Sequence, residues 1–160
     1  MNKKVLSVLV DNTSGVLNRV AGLFSRRGYN IDSLTVGVTQ DPRYSRMTIV
    51  VTGDDDIIEQ IIKQIEKLVD VNKVEVLEDN NSVCRELILT KVKTTPEQRQ
   101  QVMAVADIFR AKIVDVGIDS LIIELTGNQN KLDAFLNLLA DYEILELVRT
   151  GITGLARGEK

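Results

Sequence analysis

At 160 residues, with 44% hydrophobic and 27% charged residues, the chain has the balance of a soluble globular protein of one ordinary domain or two small ones. Its net charge of −3 is too small to point to nucleic acid or an anionic membrane as a partner, and no apolar run reaches the length of a signal-peptide core or a membrane span. The single cysteine, Cys84, excludes an internal disulfide framework and fits the cytoplasm, while the absence of His removes the commonest acid–base group and leaves Cys84 with no base to activate it.

The first element is the alternating strand KKVLSVLV (3–10), which stops on the polar turn Asp11-Asn12-Thr13-Ser14-Gly15. A helix follows, with Val16, Leu17, Val20, Leu23 and Phe24 at helical spacing, and Arg26-Arg27-Gly28 forms its C-terminal stop. IDSLTVGVT (31–39) alternates at period two, QDPRYS (40–45) reads as a turn, and RMTIVVTG (46–53) as the partner strand. The run opening on Asp54-Asp55-Asp56 puts Ile57, Ile58, Ile61, Ile62, Ile65 and Leu68 on one helix face. Its aspartates cap free amides and complement the helix dipole, a simpler role than holding a divalent metal. VNKVEVLE (71–78) closes the unit.

The second half repeats the order. RELILTKVK (85–93) is a strand, and a helix follows with Thr95 as N-cap, Pro96 at its first position and Gln98 completing a capping box. KIVDVG and SLIIELTG pair around a Gly-Ile-Asp turn, NQNKLDAFLNLLADY (128–142) is a helix, and EILELVRT closes the unit. The Gly-rich tail GITGLARGEK reads as a fraying end. The polar run 78–82 is the seam. The expected fold is α+β: two tandem ferredoxin-like βαββαβ units, 1–79 and 83–160.

This fold hosts many functions, so the residues must decide. A metallochaperone needs paired cysteines. An RNA-recognition module needs aromatics in mid-strand, and Phe24, Phe109 and Phe135 sit instead at core helical spacing. An acylphosphatase-like enzyme needs an arginine in the phosphate-cradling loop, and 11–15 has none. The opening turn is the better candidate, because a helix N-terminus offers N–H groups to a carboxylate or phosphate. Gly15 leaves room there, Asn12, Thr13 and Ser14 add neutral hydrogen-bonding groups, and Asp11 can accept from an ammonium. The corresponding turn of the second half, KTTPEQ, is a conventional capped start without glycine.

The stretch DNTSGVLNRVAGLFSRRGYNIDSLTVG, with SRMTI, KLVDVNKV, RELILTKV, IFRAKIVDV, KLDAFL and RTGITGLARG further on, resembles the acetolactate synthase (acetohydroxyacid synthase) small regulatory subunits nearly end to end. The resemblance implies an N-terminal ACT domain (1–79) for amino-acid binding and dimerisation, and a C-terminal ferredoxin-like regulatory domain (83–160). It implies a chain that does no chemistry and carries no cofactor. Thiamine diphosphate, Mg²⁺ and FAD belong to a large catalytic subunit, which the small subunit activates and makes sensitive to valine or a related branched-chain amino acid. By the same resemblance the ligand sits in a homodimer of ACT domains, held by Asn12, Ser14, Gly15, Val16 and Leu17 of one chain and by Asn30 and Ile31 of the other. A sensor of another amino acid acting on a different enzyme is the alternative.

Overall fold

The computed structural model describes residues 2–158; Met1, Glu159 and Lys160 of the expected units lie outside the described residues. The chain divides into two compact units: one runs to Cys84 and is taken up again at Ile152, and the other is Arg85–Gly151. Among the described residues no helix is long and apolar enough to cross a membrane.

The first unit has the order β1 (Asn2–Asp11), α1 (Val16–Arg26), β2 (Ile31–Val38), β3 (Tyr44–Gly53), α2 (Asp55–Glu66), β4 (Val71–Leu77). Its antiparallel sheet runs β2-β3-β1-β4, which leaves β2 at an edge. Alternation decides which face is covered. Leu6, Val8 and Val10 of β1 and Met47, Ile49 and Val51 of β3 form one core with Val16, Val20 and Phe24 of α1 and Ile58, Ile61 and Ile65 of α2. Each such side chain contributes about 1.5–3 kcal/mol by leaving water, so the two periodicities select this arrangement. The helix stop at Gly28 is as read: Gly28 takes φ 71°, its N–H donates to Ser25 O (3.3 Å), and the Tyr29 N–H donates to Phe24 O (3.0 Å). These two bonds are the pair that closes a helix through a left-handed residue.

The second unit takes most of β5 (Ser82–Lys93), whose first three residues belong to the first unit, then α3 (Pro96–Ile108), β6 (Lys112–Val116), β7 (Ser120–Gly127), α4 (Gln129–Leu138), β8 (Ile144–Arg149), with the sheet order β6-β7-β5-β8. The Thr95–Gln98 capping box is formed in both directions. Phe109 and Phe135 meet edge to face, with ring centroids 5.4 Å apart.

Several boundaries differ from the sequence reading by a residue, and three by more. Strand β5 begins at Ser82, inside the polar seam, and β3 begins at Tyr44, because both extend ladders whose partners the local sequence does not show. Helix α4 ends at Leu138 instead of running to Tyr142. Its last amides turn back on Phe135, Leu136 and Asn137, and the Tyr142 hydroxyl donates to Gln101 Oε1 (2.8 Å).

The larger difference is the tail, expected in the second unit and expected to fray. Instead β9 (Thr153–Ala156) pairs with β5 and belongs to the first unit. Just before it, the Ile152 N–H donates to Ser33 Oγ (2.9 Å), and Thr35 Oγ1 donates to Ile152 O (3.3 Å). Leu34, between them, packs on the core, so Ser33 and Thr35 stand on the sheet face away from the helices. Arg157 fastens the far end through its N–H to Asn81 O (2.7 Å) and its Nε to Ser82 O (3.2 Å). A Cβ on Gly154 would lie 2.7 Å from Cys84 Sγ and 3.1 Å from Val83 O, so only glycine lets the strap approach this closely.

Candidate functional site

The opening turn is braced from the β2–β3 loop and from β4. The Asn12 N–H donates to Arg43 O (2.7 Å), its side-chain amide donates to Pro42 O (3.0 Å), and Ser45 Oγ donates to Asn12 Oδ1 (3.1 Å). The Asp11 N–H donates to Asp70 O (2.8 Å), and Asn72 Nδ2 donates to the Asp11 carboxylate (2.8 Å). The supporting loop is itself held by Asp41, which accepts from the backbone and guanidinium of Arg43. The side-chain hydrogen bond from Arg43 is the main reason the Asp41 carboxyl lies below its ordinary value, with the backbone hydrogen bond second.

Helix α1 starts without a cap. The N-cap residue is Gly15, left-handed at φ 87°, so Ser14 is not the cap, and the first turn holds no acidic residue. The other helices differ in part: Asp54 at the start of α2 makes no side-chain cap, contrary to the sequence reading, but Asp55 and Asp56 lie in its first turn, while α3 has its capping box and Asn128 caps α4. The positive end of the α1 dipole therefore has neither a side-chain cap nor an acidic residue in its first turn.

Ser14 and Gly15 are exposed, and Leu17 is 45% exposed. Val16 is only 4% exposed and belongs to the core, so only its backbone can serve the turn. Asn30 is exposed, and its side chain makes no hydrogen bond among the described residues. It does not take a positive φ, so tolerance of the tight turn does not account for it; Gly28 carries that conformation. Ile31 is half-buried against the core.

These residues form two groups. Ile31 stands opposite Val51, which stands opposite Lys4, whereas the turn follows Asp11, opposite Tyr44. Seven steps along β1 separate the two rows, about 23 Å at ~3.3 Å per residue. Asn12 to Leu17 are together at one end of the sheet, and Asn30 and Ile31 are at the other. The clefts of ≈ 310 and ≈ 390 Å³ on this unit lie at neither group but between the end of α1 and α2, where Arg27, Gln64 and Lys67 line both. Neither cleft includes a residue of the turn.

Residues 6–73 match the AHAS small subunit-like ACT domain, and residues 85–158 match the small subunit of acetolactate synthase. The probable acetolactate synthase small subunit of Archaeoglobus fulgidus is 52% identical over 99% of both chains. The chain belongs to the acetolactate synthase small subunit family. The isozyme 3 small subunit of Escherichia coli is 48% identical over 99% of this chain and 98% of its own. The crystal structure of the Thermotoga maritima acetolactate synthase small subunit superposes with a TM-score of 0.90 at 44% identity, covering both chains completely. The first unit of this small subunit is thus an ACT domain, and the uncapped turn lies within it.

Sequence reasoning missed two residues of the turn. Arg19, one helical turn beyond Gly15, places its guanidinium over that glycine and forms an ion pair through Nε with Asp70. The four-residue spacing from Gly15 could have pointed to Arg19. Nothing local to Asp70 could have pointed to it.

Proposed function

We propose that this chain is the regulatory subunit of an acetolactate synthase. It does no chemistry itself, binds and activates a large catalytic subunit that carries thiamine diphosphate, Mg²⁺ and FAD, and confers feedback inhibition by valine or a related branched-chain amino acid. The ligand lies between two ACT domains, with the turn Asn12–Leu17 of one chain and Asn30 and Ile31 of the other around it.

The observation that carries this reading is the uncapped start of α1, whose amides and dipole suit a carboxylate. The 23 Å separation supports a shared site, because one chain cannot close both groups on a small ligand. Two copies joined β2 to β2 in the antiparallel sense bring the Ile31 end of one strand beside the Val38 end of the other. Val38 stands opposite Ser45, whose hydroxyl holds Asn12, so Asn30 of one copy arrives beside the turn of the other. A site at a dimer interface also couples ligand binding to subunit geometry, which feedback control requires.

The test is a valine dose–response on enzyme reconstituted with the large subunit. Asn30→Ala removes one hydrogen bond to a charged group and should raise the inhibitory concentration on the order of 10- to 150-fold, with activation nearly intact. Gly15→Asp, which places a carboxylate where the ligand's should sit, should act more severely. Unchanged inhibition in both variants would place the site elsewhere.

A further inference from the structure

We infer that Gln60 and Gln64 of α2 are positioning residues for the ACT-domain site proposed above, on which this inference rests: they hold in place the segment that carries Asn30. That segment leaves α1 through Gly28 and enters β2 at Ile31. Asn30 is exposed and its side chain makes no hydrogen bond among the described residues, so its neighbours decide where it stands. The polar side chains on its N-terminal side both reach α2. Arg27 Nη2 donates to Gln64 Oε1 (3.1 Å), and the Tyr29 hydroxyl donates to Gln60 Oε1 (3.3 Å). Gln60 and Gln64 are one helical turn apart, which puts the two acceptors on one stripe of α2.

Helix α2 is a firm mounting, because Ile58, Ile61 and Ile65 bury it in the core. The segment is less firmly seated. The Tyr29 ring rests on the core, but Arg27 is exposed, and the ≈ 310 Å³ cleft is lined by Arg27 and Tyr29 together with Gln60 and Gln64. Hydrogen bonds rather than close packing therefore join the segment to α2 beside this cleft. Lys67 lines it too, so Gln64 supplies the Arg27 guanidinium with an acceptor beside a like charge. A group that recognises a small ligand must be held to within about 0.5 Å by residues fixed on a rigid element, and the two glutamines meet that requirement for Asn30. Both bonds end on a carbonyl oxygen. Glutamate can replace glutamine in this role, whereas methionine, of similar length, cannot.

The test is titration of the full-length protein with L-valine, followed by amide resonances so that weak affinities are measurable, in a double-mutant cycle with Asn30→Ala. Gln60→Met with Gln64→Met should weaken valine binding about 3- to 12-fold, the contribution of roughly one hydrogen bond. In the Asn30→Ala background the same pair should change the affinity by no more than about twofold, because the glutamines act through Asn30. Gln60→Glu with Gln64→Glu, which keeps both acceptors, should bind within about twofold of wild type. The melting temperature without valine should stay close to wild type in both pairs, since Gln, Glu and Met are comparable helix formers. The inference is overturned, with the site left standing, if Asn30→Ala weakens binding and the methionine pair does not. It is equally overturned if that pair acts as strongly without Asn30 as with it, or if the glutamate pair loses as much as the methionine pair. If wild type does not bind valine, or Asn30→Ala binds it as well as wild type, the site reading fails and the inference with it.

Discussion

Replacing Ile152 by alanine should loosen the first unit although that residue lies more than a hundred positions from the strands it covers. Ile152 is 9% exposed, and its backbone is gripped on both sides by the Ser33 and Thr35 hydroxyls. Truncating a buried isoleucine costs about 2–5 kcal/mol, and because Ile152 lies on one sheet face the lower part of that range, about 2–3 kcal/mol, applies. For a unit of this size each kcal/mol moves the midpoint by about 4–8 °C, so the first unit should melt roughly 8–24 °C lower. Ser33→Ala leaves the Ile152 N–H without its acceptor and should cost about 1–3 kcal/mol. The assay is amide hydrogen exchange on the whole protein, resolved by peptide. Exchange should rise in 31–38, where β2 has β3 as its sheet neighbour, and stay unchanged in 85–151. Unchanged exchange in β2, or a rise confined to the second unit, would refute the idea that the tail straps the first sheet.

Two further outcomes follow from local geometry. Arg110 closes α3 at φ 59°, where a Cβ is strained, so Arg110→Gly should stabilise the second unit by about 1 kcal/mol in urea unfolding; a destabilised variant would mean the side chain matters more than the backbone. Asp41 has a lowered carboxyl value because of Arg43, so its hold on the loop behind Asn12 is complete above the ordinary value of 3.8 and is lost as pH falls through the lower, folded value. The Asn12 and Arg43 amide resonances should therefore stay constant from neutral pH down to about 4 and move only below it.

The sequence by itself determined the two βαββαβ units, because apolar periodicities of two and 3.6 specify which face of each strand and helix must be covered. Local chemistry was equally legible: Gly28 ends α1, and Thr95 with Gln98 starts α3, since each acts on backbone groups within a few residues. The opening turn was legible as a candidate because Gly15 and its polar neighbours lie in one short stretch. What only the tertiary structure decided was every contact whose partners are remote in the chain. The tail became a strap because Ser33 and Thr35 present hydroxyls on the open sheet face at the spacing of one residue's N–H and C=O, which no pattern in GITGLARG announces. Asp70 orients Arg19 because β4 pairs beside β1, bringing residues fifty-one positions apart into an ion pair. The same sheet register places Asn30 at the far end from the turn, so residues close in the chain form two groups apart in space. Short-range patterns fix which elements form, whereas register and edge position, which depend on how those elements pair, fix which side chains meet.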